Sequence, residues 1–531
     1  MHDEGIGAWP ARRARRTPHR TALIHGDERR MSYTDLHDHA TRLARALRHH
    51  GVRKGDRVGF LGPNRPAFLA SLFATGLLGA VFVPFNVRLA PPELAYQLAD
   101  CGARVLLRSD RSPGVPAEPG VPVGTGVPTG AGVPVVEVDA EGRAEAATAA
   151  AHPADEAVAP DDPCVILYTS GTTGRPKGAV LTHANLTWNA VNVLIDEDLT
   201  ADEVALIAAP LYHAAALGMQ ALPVLLKGGA CVLMEAFDAG AALEAVEKHH
   251  VTSLFGVPTM FRRIAAHPRW RESDLSSLRT LVCGGAPVPE ALIATYAHRG
   301  LTLRQGYGMT EAAPGVLLTH ERHTDAGPGY AGVPHFFTDV RVAPPATGSL
   351  SRSPTRSPNR YPTRSPAPTP SSAPVGDTGE LLVRGPNVMP GYWNRPRDSE
   401  AAFTDGWLRT GDAARTDADG GVTIVDRIKE VIISGGENIY PSEVEHALLA
   451  HPGVAECAVI PVPDTDWGEV GRAVLVAAPG ATLDTAEVLA SLTGRLARYK
   501  IPHSAVIAPD LPRSGAGKAA RRHIKERYGS P

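Results

Sequence analysis

The run Tyr168-Thr-Ser-Gly-Thr-Thr-Gly-Arg-Pro-Lys177-Gly178 is the strongest chemical signal in the chain. Glycines and small hydroxyl residues let successive backbone N–H groups turn inward and cradle phosphate oxygens. Thr169, Ser170, Gly171, Thr172, Thr173 and Gly174 supply that backbone and its hydroxyl donors, and Lys177 supplies a mobile positive charge. The loop is not a Walker A motif, because no Gly-Lys-Ser/Thr follows at the required spacing. A plain Gly/Ser/Thr-rich turn is the weaker reading, since so long a composite rarely arises by chance.

Lysine itself is scarce. Only 8 of the 53 basic residues are lysine, at positions 54, 177, 227, 248, 429, 500, 518 and 525. Lysine is a compact, titratable point charge and arginine a planar fork, so the two are not interchangeable at a phosphate or a reacting centre. Each lysine taken alone reads as an ordinary surface residue. As a set they are positions to follow.

The elements that must position these residues alternate along the chain. Strand candidates are Val165–Tyr168, Ala205–Ala209, Ala230–Met234, Ser253–Val257 and Thr280–Cys283. Segments with helical apolar spacing, 240–250, 259–266 and 289–299, lie between them. A helix is expected to follow the phosphate run from near Thr182. Repeated βα units imply a mainly parallel sheet covered by helices. After Lys429 a smaller αβ pattern begins. The expected fold is therefore α/β: a large N-terminal domain of βα-built sheets over residues 1–427, and a small mobile α+β C-terminal domain over residues 428–531.

Two low-complexity tracts interrupt this plan. Gly-Val-Pro recurs from Gly114 to Gly132, and an Arg-Ser-Pro run fills residues 345–374, where proline permits neither helix nor ladder. Strand-like runs flank both, so both read as expanded surface turns.

The totals exclude several classes. The 531 residues carry 53 basic and 56 acidic side chains, a formal net charge of -3, which leaves no footprint for nucleic acid as a partner. Five separated cysteines without a CxxC pair argue against a disulfide scaffold or zinc ribbon and fit a reducing, cytoplasmic setting. Met1 to Arg20 carries arginines with no apolar core after them, so this stretch is not expected to be a signal peptide. The uncharged stretch 66–87 is long enough to span a membrane, but Gly76, Gly79 and Pro84 interrupt it, and it reads as a core helix and strand. No integral membrane segment is expected. Peripheral membrane contact and a homodimer remain open.

Further motifs follow in order: Pro210-Leu-Tyr-His213, Gly284-Gly285-Ala286-Pro287, and Gln305-Gly306-Tyr307-Gly308-Met309-Thr310-Glu311. After them come Trp407-Leu-Arg-Thr-Gly-Asp412, the run Asp426 to Pro441, and Gly515-Ala-Gly-Lys518. Together with the phosphate run these resemble the adenylate-forming (AMP-binding) superfamily, from about Ala22 to Lys525. Within it the resemblance is nearest to the acyl-CoA synthetases, and from Phe336-Phe-Thr-Asp-Val340 through Arg495-Leu-Ala-Arg-Tyr-Lys500 to actinobacterial fatty-acid–CoA ligases.

The resemblance implies a two-step reaction using ATP, Mg²⁺ and coenzyme A. A carboxylate attacks the α-phosphate to give an acyl-adenylate, and a thiol then displaces AMP. It also implies roles. Ser170 to Lys177 hold the β- and γ-phosphates, Thr310 touches the α-phosphate, and Glu311 is the Mg²⁺ ligand. Tyr307 stacks on adenine, whose edge meets Gly284, Gly285 and Ala286. Asp412 accepts the ribose hydroxyls, reinforced by Arg427 beside Ile424. Lys518 bridges carboxylate and α-phosphate, and Lys429 is the hinge. Ser434, Gly435 and Gly436 line the CoA channel, and His213 gates the acyl site. Trp407 and Cys283 read as packing residues.

The substrate is expected to be an apolar monocarboxylic acid. Amino-acid-activating members carry an aspartate where His213-Ala214 stand, and malonate-type members an arginine where Gly306 stands. Ala214, Ala215, Ala216 and Gly218 leave space for a chain, so a medium- or long-chain fatty acid is the first expectation. The alternatives are an aryl acid of the coumarate or benzoate type, and a non-catalytic degenerate synthetase acting as a binding protein.

Overall fold

The computed structural model describes residues 4–26, 29–109, 132–140, 142, 156–169, 175–286, 288–320, 329–343, 375–427, 432–439, 441–512 and 521–530. Among these residues the strands form three sheets, of fourteen, seven and five strands.

The largest sheet is built around six parallel strands: β1 (Thr21–His25), β2 (Val204–Ile207), β3 (Ala230–Leu233), β4 (Ser253–Gly256), β5 (Thr280–Gly284) and β6 (Leu303–Gly308). Their order is β6-β5-β4-β2-β3-β1. Helices Ala239–His249, Pro258–Ala266 and Glu290–Ala297 cross between successive strands, as the alternating pattern requires. Each expected strand and helix is present, with no end displaced by more than two residues.

The seven-stranded sheet is also largely parallel. Its strand Pro163–Thr169 turns back antiparallel into a second buried strand, Lys177–Thr182, with Thr169 opposite Lys177. Only then does the helix His183–Asp196 begin, capped by the Thr182 hydroxyl on the Asn185 N–H. The phosphate run is thus the connection of a β-hairpin. The strand Lys177–Thr182 stands between the run and the helix expected from near Thr182. Residues 170–174 lie outside the described residues.

The uncharged stretch divides as expected into a wholly buried helix, Pro66–Leu77, and a buried strand, Val81–Phe85. No described helix is long and apolar enough to cross a membrane. The Arg-Ser-Pro tract also lies outside the described residues. The strands around it, Asp339–Ala343 and Gly379–Arg384, pair antiparallel with Ala343 opposite Glu380. The described strands on either side of the tract are therefore neighbours.

The C-terminal five-stranded sheet contains Ile432–Ser434, Glu437–Ile439, Val454–Asp464, Gly468–Ala477 and Ser504–Ile507. Its two hydrophobic clusters draw only on residues from Ile432 onward. The two N-terminal clusters draw on none of them.

Candidate functional site

Parallel strands bring their carboxyl ends to one edge of a sheet, where loops leave a crevice. Here the ends of β2 to β6 open into a cavity of about 1100 Å³. Gly284 and Gly285 at the end of β5, and Gly306 to Glu311 at and beyond the end of β6, form one part of its wall. His213 and Ala214 to Ala216, which follow β2, form another. Motifs nearly a hundred residues apart in sequence thus face one space.

The β6 side is a hydrogen-bonded polar cluster. Tyr307 donates its hydroxyl to Asp412 Oδ2 at 2.5 Å, and Asp412 is 6% exposed. The Asp412 N–H is held by the Thr410 hydroxyl at 3.0 Å, and Arg427 stands directly opposite Asp412 in the strand ladder. Glu311 accepts the Tyr392 hydroxyl at 2.8 Å. Lys177 donates to Asp398 at 2.5 Å, and its ammonium lies 5.7 Å from the Tyr392 ring centroid. Lys177 is only 9% exposed, so the side chain expected to be mobile is held, facing the cavity. Gln305 shapes the turn after β5 by accepting the Val288 N–H at 3.1 Å and donating to the Tyr330 carbonyl at 2.9 Å.

The β2 side is apolar. Beyond Ile207 the chain turns through Tyr212 and His213 into a π-helical segment, Ala216–Ala221. His213 therefore lies in this turn, beyond the end of β2. Ala214, Ala215, Ala216 and Met219 line the cavity. Gly218 has a different reason to be small: a Cβ there would stand 2.5 Å from the Ala313 carbonyl oxygen and from Pro314 Cδ.

The C-terminal sheet closes this space. Gly435 and Gly436 line the cavity with φ of +56° and +85°, and a Cβ on Gly436 would meet Val257 Cγ1 at 2.8 Å. Ser434, buried behind them, pairs with Glu437 across a tight hairpin. Glu437 faces His213 Nε2 at 3.1 Å, off the line of a good hydrogen bond, and Arg88 at 3.8 Å. Burial pushes the Glu437 carboxyl up, but His213, Arg88 and Lys500 outweigh it and hold it below the ordinary carboxylate range.

Trp407 is buried, with the Arg341 and Arg384 guanidinium groups 4.8 and 4.4 Å from its ring centroid, and Cys283 is fully buried, so both are packing residues as expected. Of the remaining expected site residues, Thr169 lines the cavity, and Ala286 and Ile424 are half-buried. Ser170, Gly171, Thr172, Thr173, Gly174, Pro287, Lys429 and Lys518 lie outside the described residues, as does the side chain of Arg427.

The sequence reading did not single out Tyr392, Asp398, Arg88 or Glu437. Glu437 stands inside a quoted motif, which was a usable signal. Tyr392 and Asp398 are tied to Glu311 and Lys177 only by tertiary contact.

Residues 10–393 match the family model described as AMP-binding enzyme, and residues 443–518 the model described as AMP-binding enzyme C-terminal domain. A protein of Amycolatopsis sp. named feruloyl-CoA synthase is 52% identical over 529 residues, spanning 100% of both chains. A protein of Mycobacterium tuberculosis named long-chain-fatty-acid–CoA ligase FadD13 is 33% identical over 529 residues, 99% of each. Among solved structures, a doubly substituted o-succinylbenzoate CoA synthetase of Bacillus subtilis, bound with the product analogue OSB-NCoA, aligns at TM-score 0.84. It is 31% identical and covers 98% of this chain and 99% of that one. ATP-bound MatB of Rhodopseudomonas palustris aligns at TM-score 0.67, with 31% identity and 99% coverage of both.

Proposed function

The chain belongs to the AMP-binding enzyme family and is an AMP-forming acid–thiol ligase, and on that premise we propose that the acid it activates is aromatic, of the hydroxycinnamate type. The observation that carries this choice is the 52% identity, over the whole chain, to a relative named feruloyl-CoA synthase. The fatty-acid reading drawn from the motifs has less support: the relative named for long-chain fatty acids stands at 33%. The runs behind that resemblance, Phe336–Val340 and Arg495–Lys500, are not among the residues that line the cavity and report little about the acid.

In this reading one acid carboxylate oxygen attacks the α-phosphorus of ATP, and pyrophosphate leaves with the electrons of the broken P–O bond. Phosphoryl transfer of this kind relies on positioning and charge neutralisation. Lys177, oriented by Asp398 and the Tyr392 ring, would meet the β- and γ-phosphate charge. Asp412, with its backbone fixed by Thr410, would exchange the Tyr307 hydroxyl for the ribose hydroxyls, freeing the Tyr307 ring to cover adenine. Glu311 and the neighbouring Thr310 offer hard oxygen donors on the cavity wall, a set that suits Mg²⁺, which takes one or two protein carboxylates and fills its shell with phosphate and water. Bound there, the ion would neutralise triphosphate charge. Lys518 would bridge the acid carboxylate and the α-phosphate.

In the second half-reaction the CoA thiol gives up its proton to solvent, its sulfur attacks the acyl carbon, and AMP leaves with the electrons of the broken acyl C–O bond as its phosphate anion. Gly435 and Gly436, having no side chains, leave room for the pantetheine arm. His213, paired with Glu437, borders the acyl end. Cytoplasmic ATP and CoA pools suit both steps.

The test is ATP–pyrophosphate exchange with hydroxycinnamic, benzoic, fatty and dicarboxylic acids, followed by CoA addition. Exchange and thioester formation are expected with hydroxycinnamic acids above all. Selective turnover of fatty acids would reverse the proposal, and exchange with none would favour a non-catalytic binding protein.

A further inference from the structure

Lys500 is 3% exposed, the most deeply buried lysine among the described residues. Its Nζ donates to Glu443 Oε1 at 2.8 Å, within the C-terminal unit, and to Glu93 Oε1 at 2.7 Å, across the interface. Both carboxylates are themselves less than a tenth exposed. Glu93 belongs to helix Pro91–Cys101, and its second oxygen accepts the Ala90 N–H at 2.9 Å, capping that helix. Burial works against the Lys500 charge, but the two carboxylates prevail and raise its pKa above the ordinary value.

The contact joins two units with separate apolar cores, since no hydrophobic cluster of described residues contains members of both. The other named contacts across the interface are polar or backbone in character. They include Glu437 with His213 and Arg88, and Arg262 donating to the Asp466 carbonyl at 3.1 Å. Apolar interfaces favour permanent association, whereas charged groups regain hydration when they separate. A lysine buried between carboxylates of both units therefore makes a contact that forms whole or not at all.

Its position matters for the site. Glu443 begins the helix Pro441–Leu448, which follows the Ile432–Ile439 hairpin in sequence. Gly435 and Gly436 occupy the turn of that hairpin and Glu437 its returning strand. Anchoring Glu443 to Glu93 through Lys500 fixes the base of the hairpin while its tip enters the cavity.

We propose that Lys500 is the positioning residue that docks the C-terminal unit over the acyl cavity for thioester formation, by entering between Glu93 of one unit and Glu443 of the other. The proposal rests on the ligase reading, but not on which acid is used. The chain's higher similarity to the relative holding a CoA product analogue than to the ATP-bound one, at equal identity, is in keeping with it.

The experiment compares full-length Lys500→Met and Glu93→Gln with wild type in two assays, using whichever acid the wild-type chain activates. One is ATP–pyrophosphate exchange. The other is single-turnover thioester formation from supplied acyl-adenylate and CoA. Removing one partner of a buried ionic contact is costly, so thioester formation should fall by about 10- to 100-fold in both variants, with exchange unchanged. A merely structural role would lower both activities together. If Lys500→Met does not fold, Glu93→Gln carries the test, because glutamine still offers an oxygen to cap its helix. Equal loss of both half-reactions, or full thioester activity in Glu93→Gln, would overturn the proposal. A wrong acid class would instead appear as inactivity of the wild type with that acid.

Discussion

Asp412 illustrates how much one side chain carries in this site. It is buried, takes the Tyr307 hydroxyl and faces the cavity. Asp412→Ala is expected to raise the KM for ATP at least about tenfold and to cost about 1–3 kcal/mol of stability, because the hydrogen bond from Tyr307 to a charged acceptor is lost. Initial-rate kinetics and urea denaturation read the two effects separately. Lys518 should behave differently. Lys518→Ala is expected to abolish adenylate formation and largely spare thioester formation from supplied acyl-adenylate. Loss of both half-reactions in equal measure would contradict that role. The sequence marked Asp412 and Lys518 through motif spacing. It was silent about Tyr392 and Asp398, because their partners Glu311 and Lys177 lie 81 and 221 residues away.

At the scale of elements, two turns invite opposite outcomes. The Gly435-Gly436 turn has positive φ at both positions and no room for a side chain on Gly436. Gly436→Val should therefore disfavour seating of the hairpin and lower the rate of thioester formation more than that of pyrophosphate exchange. A left-handed conformation costs a non-glycine residue about 1–2 kcal/mol before any clash is counted. The Arg-Ser-Pro tract is the reverse case. The pairing of Ala343 with Glu380 already brings the flanking strands together, so deleting residues 349–372 should leave turnover and thermal stability near wild type. A large fall in turnover of a folded deletion variant would assign the tract a function.

For the molecule as a whole, the N-terminal unit contains a built-in acid sensitivity. His183 is fully buried, and its Nδ1 accepts the Ile6 N–H at 3.1 Å, tying the start of the chain to the helix after the phosphate hairpin. Burial lowers its pKa from 6.5 to about 4. The folded state thus binds this proton less readily than the unfolded chain. The neutral ring's contribution is complete above about pH 6.5 and is lost as pH falls toward 4. That contribution is about 3 kcal/mol. His183→Gln should therefore reduce the drop in unfolding free energy between pH 7 and pH 4.5. An unchanged acid limb would place the sensitivity elsewhere.

Sequence alone determined the alternation of strand and helix, the two tracts and the ordered motifs, because these depend on local periodicity and on residue types with few physical uses. It also marked Lys177, Glu311 and Asp412 by type and spacing. Tertiary structure decided which residues meet. The parallel order of the sheet carried β2, β5 and β6 to one edge, so that His213, Gly284 and Tyr307 line a single cavity. It also set Lys500 between Glu93 and Glu443, a contact spanning 407 residues that no local pattern encodes. The physical reason is the same in each case: conformation is written in neighbouring residues, whereas contact is set by how distant segments pack.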